Sequence, residues 1–185
     1  LSLLSRWLKK SFIDYLLRKY TLTNATAVTY GNSTMLRFIK LWAKPRKIIK
    51  SFQGVNFNKS KALIDLESLK EELGLDNKTI IFSPRMFNSN SNIDIIINTI
   101  PKVIKVYPNA RYLFSCHLGL ESYDLKIKQM IKDLNVSKYC LFLDKIDQIE
   151  MSNYYQISDV VLSILTSDGM PATVLETMAA KTPQV

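Results

Sequence analysis

The sequence predicts an α/β protein organised on parallel sheets, and three observations lead there. Short apolar, strand-like runs are separated by helical patterns of about 10–15 residues, as in repeated βαβ units with right-handed crossovers. Hydrophobic residues make up 47% of the 185, ample for a buried core. Neither an internal repeat nor a low-complexity tract interrupts the alternation.

Residues 1–20 read as an amphipathic helix, with Leu4, Trp7, Leu8, Phe12, Tyr15 and Leu16 on one face and most of the basic residues elsewhere. Residues 26–30 are a short strand. Ser33 is the expected cap of a helix running through Trp42, which Pro45 stops. A strand over 47–52 leads into a turn at Gly54, and a helix over 62–73 ends at Gly74. From Thr79 the order is regular: strand 79–84, helix 92–107 closed by Pro108, strand 111–116, helix 122–135, strand 139–143, helix 149–157, strand 160–165, helix 171–181. Pro101 is expected to kink or split the helix it falls in. The Asn/Ser tract 88–92 is a loop with a helix cap at its end.

Composition excludes several classes. No apolar run reaches the roughly 18 residues that span a bilayer. The two cysteines, Cys116 and Cys140, lie in or beside apolar runs and read as reduced, buried thiols, so a disulfide framework is not expected and a cytoplasmic location is. The first residues lack the pattern of a signal peptide. Lacking an initial Met and ending at Gln184-Val185, where the next strand should start, the chain reads as a piece cut at both ends.

Charge is uneven: residues 1–60 carry 12 Lys and Arg against the single acid Asp14, whereas residues 61–185 carry 13 against 15. Lys9, Lys10, Arg18, Lys19, Lys40, Lys44, Arg46, Lys47 and Lys50 suit a nucleic-acid surface or an anionic lipid surface. No nucleic-acid motif accompanies them, and the aromatics at 7, 12 and 15 sit on the apolar face, so no nucleic-acid partner is expected. The first helix serves either as interior packing or as a membrane-surface anchor.

The run from Ser167 to Pro183 says most about chemistry. Asp168 sits in a Gly/Pro-bearing loop after the strand over 160–165, and Glu176 lies eight positions on, inside the following helix. Ligands of open parallel sheets bind beyond the carboxyl ends of the strands, where the next helix presents unpaired N–H groups to a phosphate. Gly169 lets the backbone turn tightly, Pro171 tolerates the first helical turn, and Val174, Leu175 and Met178 recur at helical spacing toward a core. Two readings stand on the residues alone. Either Asp168 caps the helix and Glu176 makes a local salt bridge, or both acids hold one ligand.

This run resembles the acid-x7-acid signature of the retaining nucleotide-sugar glycosyltransferases of GT-B architecture, group 1 (family four), with Asp168 where the first Glu usually stands. Gln53-Gly54-Val55-Asn56 is similar to the family's interdomain Asn-Gly-Val-Asp, and Ser83-Pro84-Arg85 to its strand end with a phosphate-binding Arg. Residues 112–119, through His117 and Gly119, resemble its second strand and Gly-bearing loop; Tyr154 to Leu165 resembles the strand before the acidic loop.

The resemblance implies that residues 1–52 are the end of an N-terminal, acceptor-side Rossmann-like domain. It makes residues 53–185 an incomplete C-terminal, donor-binding Rossmann-like domain, one GT-B half. It implies a hexosyltransferase-type enzyme, inactive as this piece alone, that moves a sugar with retention from a nucleotide sugar to a glycan, lipid-linked or cell-surface polysaccharide acceptor. The implied setting is cytoplasmic or peripheral at the inner membrane face.

By the same resemblance Glu176 accepts hydrogen bonds from the nucleotide ribose. Asp168 and the backbone of Gly169, Met170, Pro171 and Ala172 hold the donor sugar and phosphate, with Gly119 near the nucleotide. Asp168, Glu176 and Arg85 would carry the transfer, and neither metal nor cofactor is expected. The family's Lys after Arg85 is absent, since no Lys stands between Arg85 and Lys102; Ser91 and Asn92 are the expected partial substitutes. The alternatives are a degenerate, non-catalytic nucleotide-sugar-binding fragment and a basic surface-binding module. His117 reads as a solvent-facing or core-edge side chain or as a proton-transfer group, and Tyr154 and Tyr155 as core packing.

Overall fold

The computed structural model describes residues 3–51, 54–55, 64–115, 121–143, 146–166, 168 and 171–185. The chain divides into two compact units, Leu1–Gln53 and Gly54–Val185.

In the first unit α1 (Leu3–Asn24) is followed by β1 (Val28–Tyr30), α2 (Ser33–Trp42) and β2 (Ile48–Lys50), the two strands pairing in parallel. Asn32, not Ser33, caps α2: its backbone is extended and its Oδ1 accepts from the Met35 N–H at 2.8 Å, while Ser33 is already helical. The apolar residues of α1 are not confined to one stripe. Ile13, Leu17 and Tyr20 are exposed together with Phe12, Tyr15 and Leu16, and Tyr15 packs against Trp42 with ring centroids 5.2 Å apart.

The second unit contains α3 (Leu66–Glu72), β3 (Thr79–Ser83), α4 (Ile93–Val106), β4 (Ala110–Ser115), α5 (Glu121–Asp133), a 3-10 turn (Ser137–Tyr139), β5 (Cys140–Leu143), α6 (Met151–Ile157), β6 (Val160–Val161) and α7 (Ala172–Ala180). The strands form one parallel sheet in the order β5-β4-β3-β6. The helix expected over 62–73 begins at Leu66 because Asp65 is its N-cap, accepting from the Glu67 N–H; residues 62–63 lie outside the described residues. Pro101 does not split α4, which runs continuously through it: Ile93, Ile96, Ile97 and Ile100 are buried on one face and hold both halves against the sheet.

Both faces of the sheet are covered, which is why its strands read as unbroken apolar runs. Side chains alternate. Ile81, Tyr112 and Phe114 join the isoleucines of α4 and Ile127 and Ile131 of α5, while Ile80, Phe82, Leu113 and Val161 join Leu69 of α3 and Tyr155 and Ile157 of α6. Asp94, in the first turn of α4, accepts from Tyr123 Oη at 3.0 Å and from Lys126 Nζ at 2.8 Å on α5, and the Lys126 bond holds its carboxyl below the usual carboxylate range.

Two further expectations change. The strand expected over 160–165 is a two-residue ladder. Its partner β3 ends at Ser83, Pro84 has no N–H to extend the pairing, and the Ile164 carbonyl accepts from the Asn92 side chain instead. The far edge of β6 is paired with the tail, the Val161 N–H donating to the Pro183 carbonyl and the Val185 N–H to the Val161 carbonyl, both at 2.9 Å.

In α7 the buried face is Thr173 and Thr177, whereas Met178 is 69% exposed. Small side chains let α7 lie close, and the Thr177 hydroxyl stands 3.0 Å from the Val174 carbonyl and from Gln184 Oε1, so threonines replace the expected apolar stripe.

Candidate functional site

The chain proceeds outward from β3 to β4 and β5, then returns to place β6 on the other side of β3. The connections leaving β3 and β6 therefore diverge, and the crevice beyond their carboxyl ends is where a parallel sheet accepts a ligand. Arg85 leaves β3 there; Ser163 and Asp168 lie beyond β6.

These residues meet. Arg85 Nε donates to Ser163 Oγ at 2.8 Å, and Arg85 Nη2 stands 3.7 Å from Asp168 Oδ2. The second distance suits an ion pair but not a hydrogen bond. Arg85 Nη2 thus has no hydrogen-bond partner among the described residues, although the atom is buried. Ser83 Oγ, two residues earlier at the strand end, is another buried polar atom without such a partner among them. Buried polar atoms are normally bonded, so these two atoms are candidates for ligand contact.

The loops that flank this point are clasped. Asn92 adopts the left-handed conformation at the start of α4 and makes no side-chain cap there. Its Nδ2 instead donates to the Ile164 carbonyl at 2.6 Å and to Thr166 Oγ1 at 3.0 Å, while the Thr166 N–H donates to the Asn90 carbonyl at 2.9 Å. Ser91 turns inward: it is buried, and its hydroxyl donates to Asn88 Oδ1 at 3.1 Å.

The N-cap position of α7 is held by Pro171, not Asp168, and supplies no side-chain cap. Both α4 and α7 thus point amino ends without such caps toward the crevice, and such ends favour an anion. Ala172 is the first residue of α7. Gly119, Gly169 and Met170 lie outside the described residues, as do Cys116 and His117.

Glu176 is half-buried in the middle of α7, and Tyr155 Oη of α6 donates to its Oε2 at 2.9 Å. The Tyr155 hydroxyl is pushed up in pKa, first by burial and then by the Glu176 charge, with the Arg85 charge pulling the other way. The crevice offers a cation held by Ser163 and Asp168, and the middle of α7 a carboxylate held by Tyr155. Such a set grips a phosphate ester with the first and hydroxyl groups with the second.

Among the described residues no three His, Cys, Asp or Glu side chains gather as metal ligands would. Cys140 is half-buried, and burial raises its thiol to about 12, which keeps it protonated and unreactive near neutrality.

Arg85 and Asp168 are brought together, Asp168 does not cap α7, and Glu176 bonds Tyr155. Sequence reasoning missed Ser163, the reach of Asn92 and the role of the Tyr155 hydroxyl. The available signal was the position of Tyr155 four residues before Asp159, whose Oδ2 accepts from the Ile80 N–H at 2.7 Å and so fixes the register of α6 against β3.

The family model for glycosyl transferases group 1 matches residues 64–185. The alpha-monoglucosyldiacylglycerol synthase of Acholeplasma laidlawii is 28% identical over 120 residues, 64% of this chain and 29% of that protein. This chain therefore spans less than a third of that curated relative. Among solved structures, Anabaena HepE in complex with UDP-glucose matches with a TM-score of 0.80 at 15% identity, covering 93% of this chain and 48% of that one. Sucrose-phosphate synthase of Thermosynechococcus elongatus matches with a TM-score of 0.78 at 17% identity, covering 92% and 42%.

Asn92→Ala removes the clasp between the two loops. Faster amide hydrogen exchange is expected at Ile164 and Thr166, by a factor of about 5–10 for the loss of one to two net hydrogen bonds, with exchange in β3 and β4 unchanged. Unchanged exchange at Thr166 would show that Asn92 does not hold the acid loop.

Proposed function

Given that the chain belongs to the glycosyl transferases group 1 family, we propose that the complete protein transfers a hexose from a nucleoside diphosphate sugar, with retention at the anomeric carbon. The acceptor is a glycan, a lipid-linked sugar or a cell-surface polysaccharide. The observation that carries this reading is the meeting of Arg85 with Ser163 and Asp168 at the strand reversal, with Nη2 lacking a hydrogen-bond partner among the described residues.

As the bond to the anomeric carbon breaks, negative charge grows on the departing diphosphate. Arg85 Nη2 and the amino end of α7 stabilise that charge, the electrostatic part of catalysis. Glu176 accepts from the ribose hydroxyls, and Asp168 with the backbone of the loop after it orients the donor sugar. An Asp at this position withdraws the carboxylate by one methylene relative to Glu and so adapts the pocket to its sugar. These groups form a binding set without a general acid/base pair, and the chemistry calls for neither metal nor cofactor.

The similarity to HepE in complex with UDP-glucose supports a uridine diphosphate sugar as the first donor to test. The Acholeplasma relative, an alpha-monoglucosyldiacylglycerol synthase, supports a lipid-borne acceptor. The absence of a Lys between Arg85 and Lys102 favours a second reading, a nucleotide-sugar-binding protein without turnover. A donor screen by thermal shift, followed by product analysis with the donor that binds, separates the two. In the complete protein Glu176→Ala is expected to weaken nucleotide binding by about 1.5–3 kcal/mol through loss of charged hydrogen bonds. Unchanged affinity in calorimetry would remove Glu176 from the site.

The membrane is the proposed partner of the first unit. On α1, exposed Phe12, Ile13, Leu16, Leu17 and Tyr20 accompany Arg18 and Lys19 in a segment of high positive charge. The proposed attachment is at the surface, on the inner, cytoplasmic face; no helix among the described residues is long and apolar enough to cross a membrane. Each Lys or Arg near an anionic surface contributes about 1 kcal/mol, and salt screens it. The complete protein is expected to sediment with anionic vesicles at low salt, and replacement of Lys9, Lys10, Arg18 and Lys19 by Gln to abolish the salt-sensitive part. Equal sedimentation of both proteins would return α1 to a packing role.

A further inference from the structure

We propose that Tyr155 is a positioning residue for nucleotide recognition: its hydroxyl holds the Glu176 carboxylate in the orientation that reads the ribose, without itself touching the ligand. The inference rests on the reading of Glu176 given above and extends it to a residue on a different helix.

Tyr155 is 3% exposed, and its hydroxyl meets the Glu176 carboxylate and the Thr173 side chain, both of α7. Its ring packs against Phe82 with centroids 5.8 Å apart, its Oη donates to Glu176 Oε2 at 2.9 Å, and its carbonyl accepts from Thr182 Oγ1 at 2.6 Å. One residue of α6 thereby grips α7 at its middle and again just beyond its carboxyl end.

A free Glu side chain has several torsions to order, and ordering them when the ligand arrives weakens binding. A buried phenol does this beforehand. Because burial and the Glu176 charge keep the phenol protonated, it always donates and always takes Oε2. On this proposal Oε1 is left to accept from the ribose, and the Oε2 bond is charge-assisted, hence strong enough to hold the rotamer. Only Oη is lost in Tyr155→Phe; the ring keeps its contact with Phe82.

The test uses the complete protein and calorimetry with UDP, GDP and ADP, followed by the 2′-deoxy and 3′-deoxy forms of whichever binds tightest. The native protein is expected to prefer the ribonucleotide by about tenfold or more, a preference that Glu176→Ala removes. Tyr155→Phe is expected to weaken the ribonucleotide about fivefold and leave the deoxy forms unchanged. Tyr155→Leu, which removes the same hydroxyl with a different shape, is expected to narrow the preference likewise.

Full ribose preference in both Tyr155 variants would overturn the proposal, and so would equal weakening of ribo and deoxy forms, the mark of a merely structural role. Failure of the underlying reading looks different: none of the three nucleotides binds, or Glu176→Ala keeps the ribose preference.

Discussion

The second unit depends on one topological constraint, the return of the chain from β5 to the opposite side of β3. Three strands could be extended indefinitely in one direction without opening a cleft. The reversal sends the loop after β3 and the loop after β6 apart, and leaves Arg85 facing Ser163 and Asp168 across the gap. Pro84 sharpens the divergence by ending the pairing of β3 with β6, and beyond Leu162 the backbone holds to the tail, the Ser163 N–H donating to the Val185 carbonyl at 2.8 Å. Everything proposed about ligand recognition uses groups brought together by that reversal.

Rigidity at the cleft comes from both sides of the sheet. The isoleucines of α4 pack on one face, and Phe82, Tyr155 and Ile157 on the other, so the strand ends that carry Arg85 and Ser163 are held between two cores. Over that base lie two polar clasps, Asn92 to the loop after β6 and Tyr155 to α7. Threonines on the inner face of α7 permit its close seating, and Thr182 ties the turn that follows it back to α6. Placing the cleft's functional groups on packed elements fixes them before a ligand arrives, which is what electrostatic recognition of a phosphate requires.

The alternation of strands and helices was legible from composition and spacing, because a parallel sheet buried on both faces must use continuous apolar runs. The acid loop was legible as a candidate from its place after an apolar strand, and Arg85 from the family resemblance at the end of β3. Less local features were hidden. The two-residue length of β6 depends on what its neighbour does at Pro84, and the inward turn of Thr173 and Thr177 on how closely α6 approaches. Asn92 looked like a helix cap because its sequence position allows one, yet its side chain reaches a loop more than 70 residues away. Tyr155 was read as packing, which its ring is; its hydroxyl found Glu176 only through the pairing of α6 with α7. Sequence spacing reports periodicity within an element and is silent on partners between elements.

Crystals of the complete protein grown with a nucleoside diphosphate that it binds would decide most directly whether the strand reversal is the nucleotide site. The expected result is diphosphate density against Arg85 Nη2 and the amino end of α7, with the ribose on Glu176 and the Tyr155 hydroxyl still on that carboxylate. A nucleotide bound elsewhere, with Arg85 still turned to Asp168 and Ser163, would contradict it.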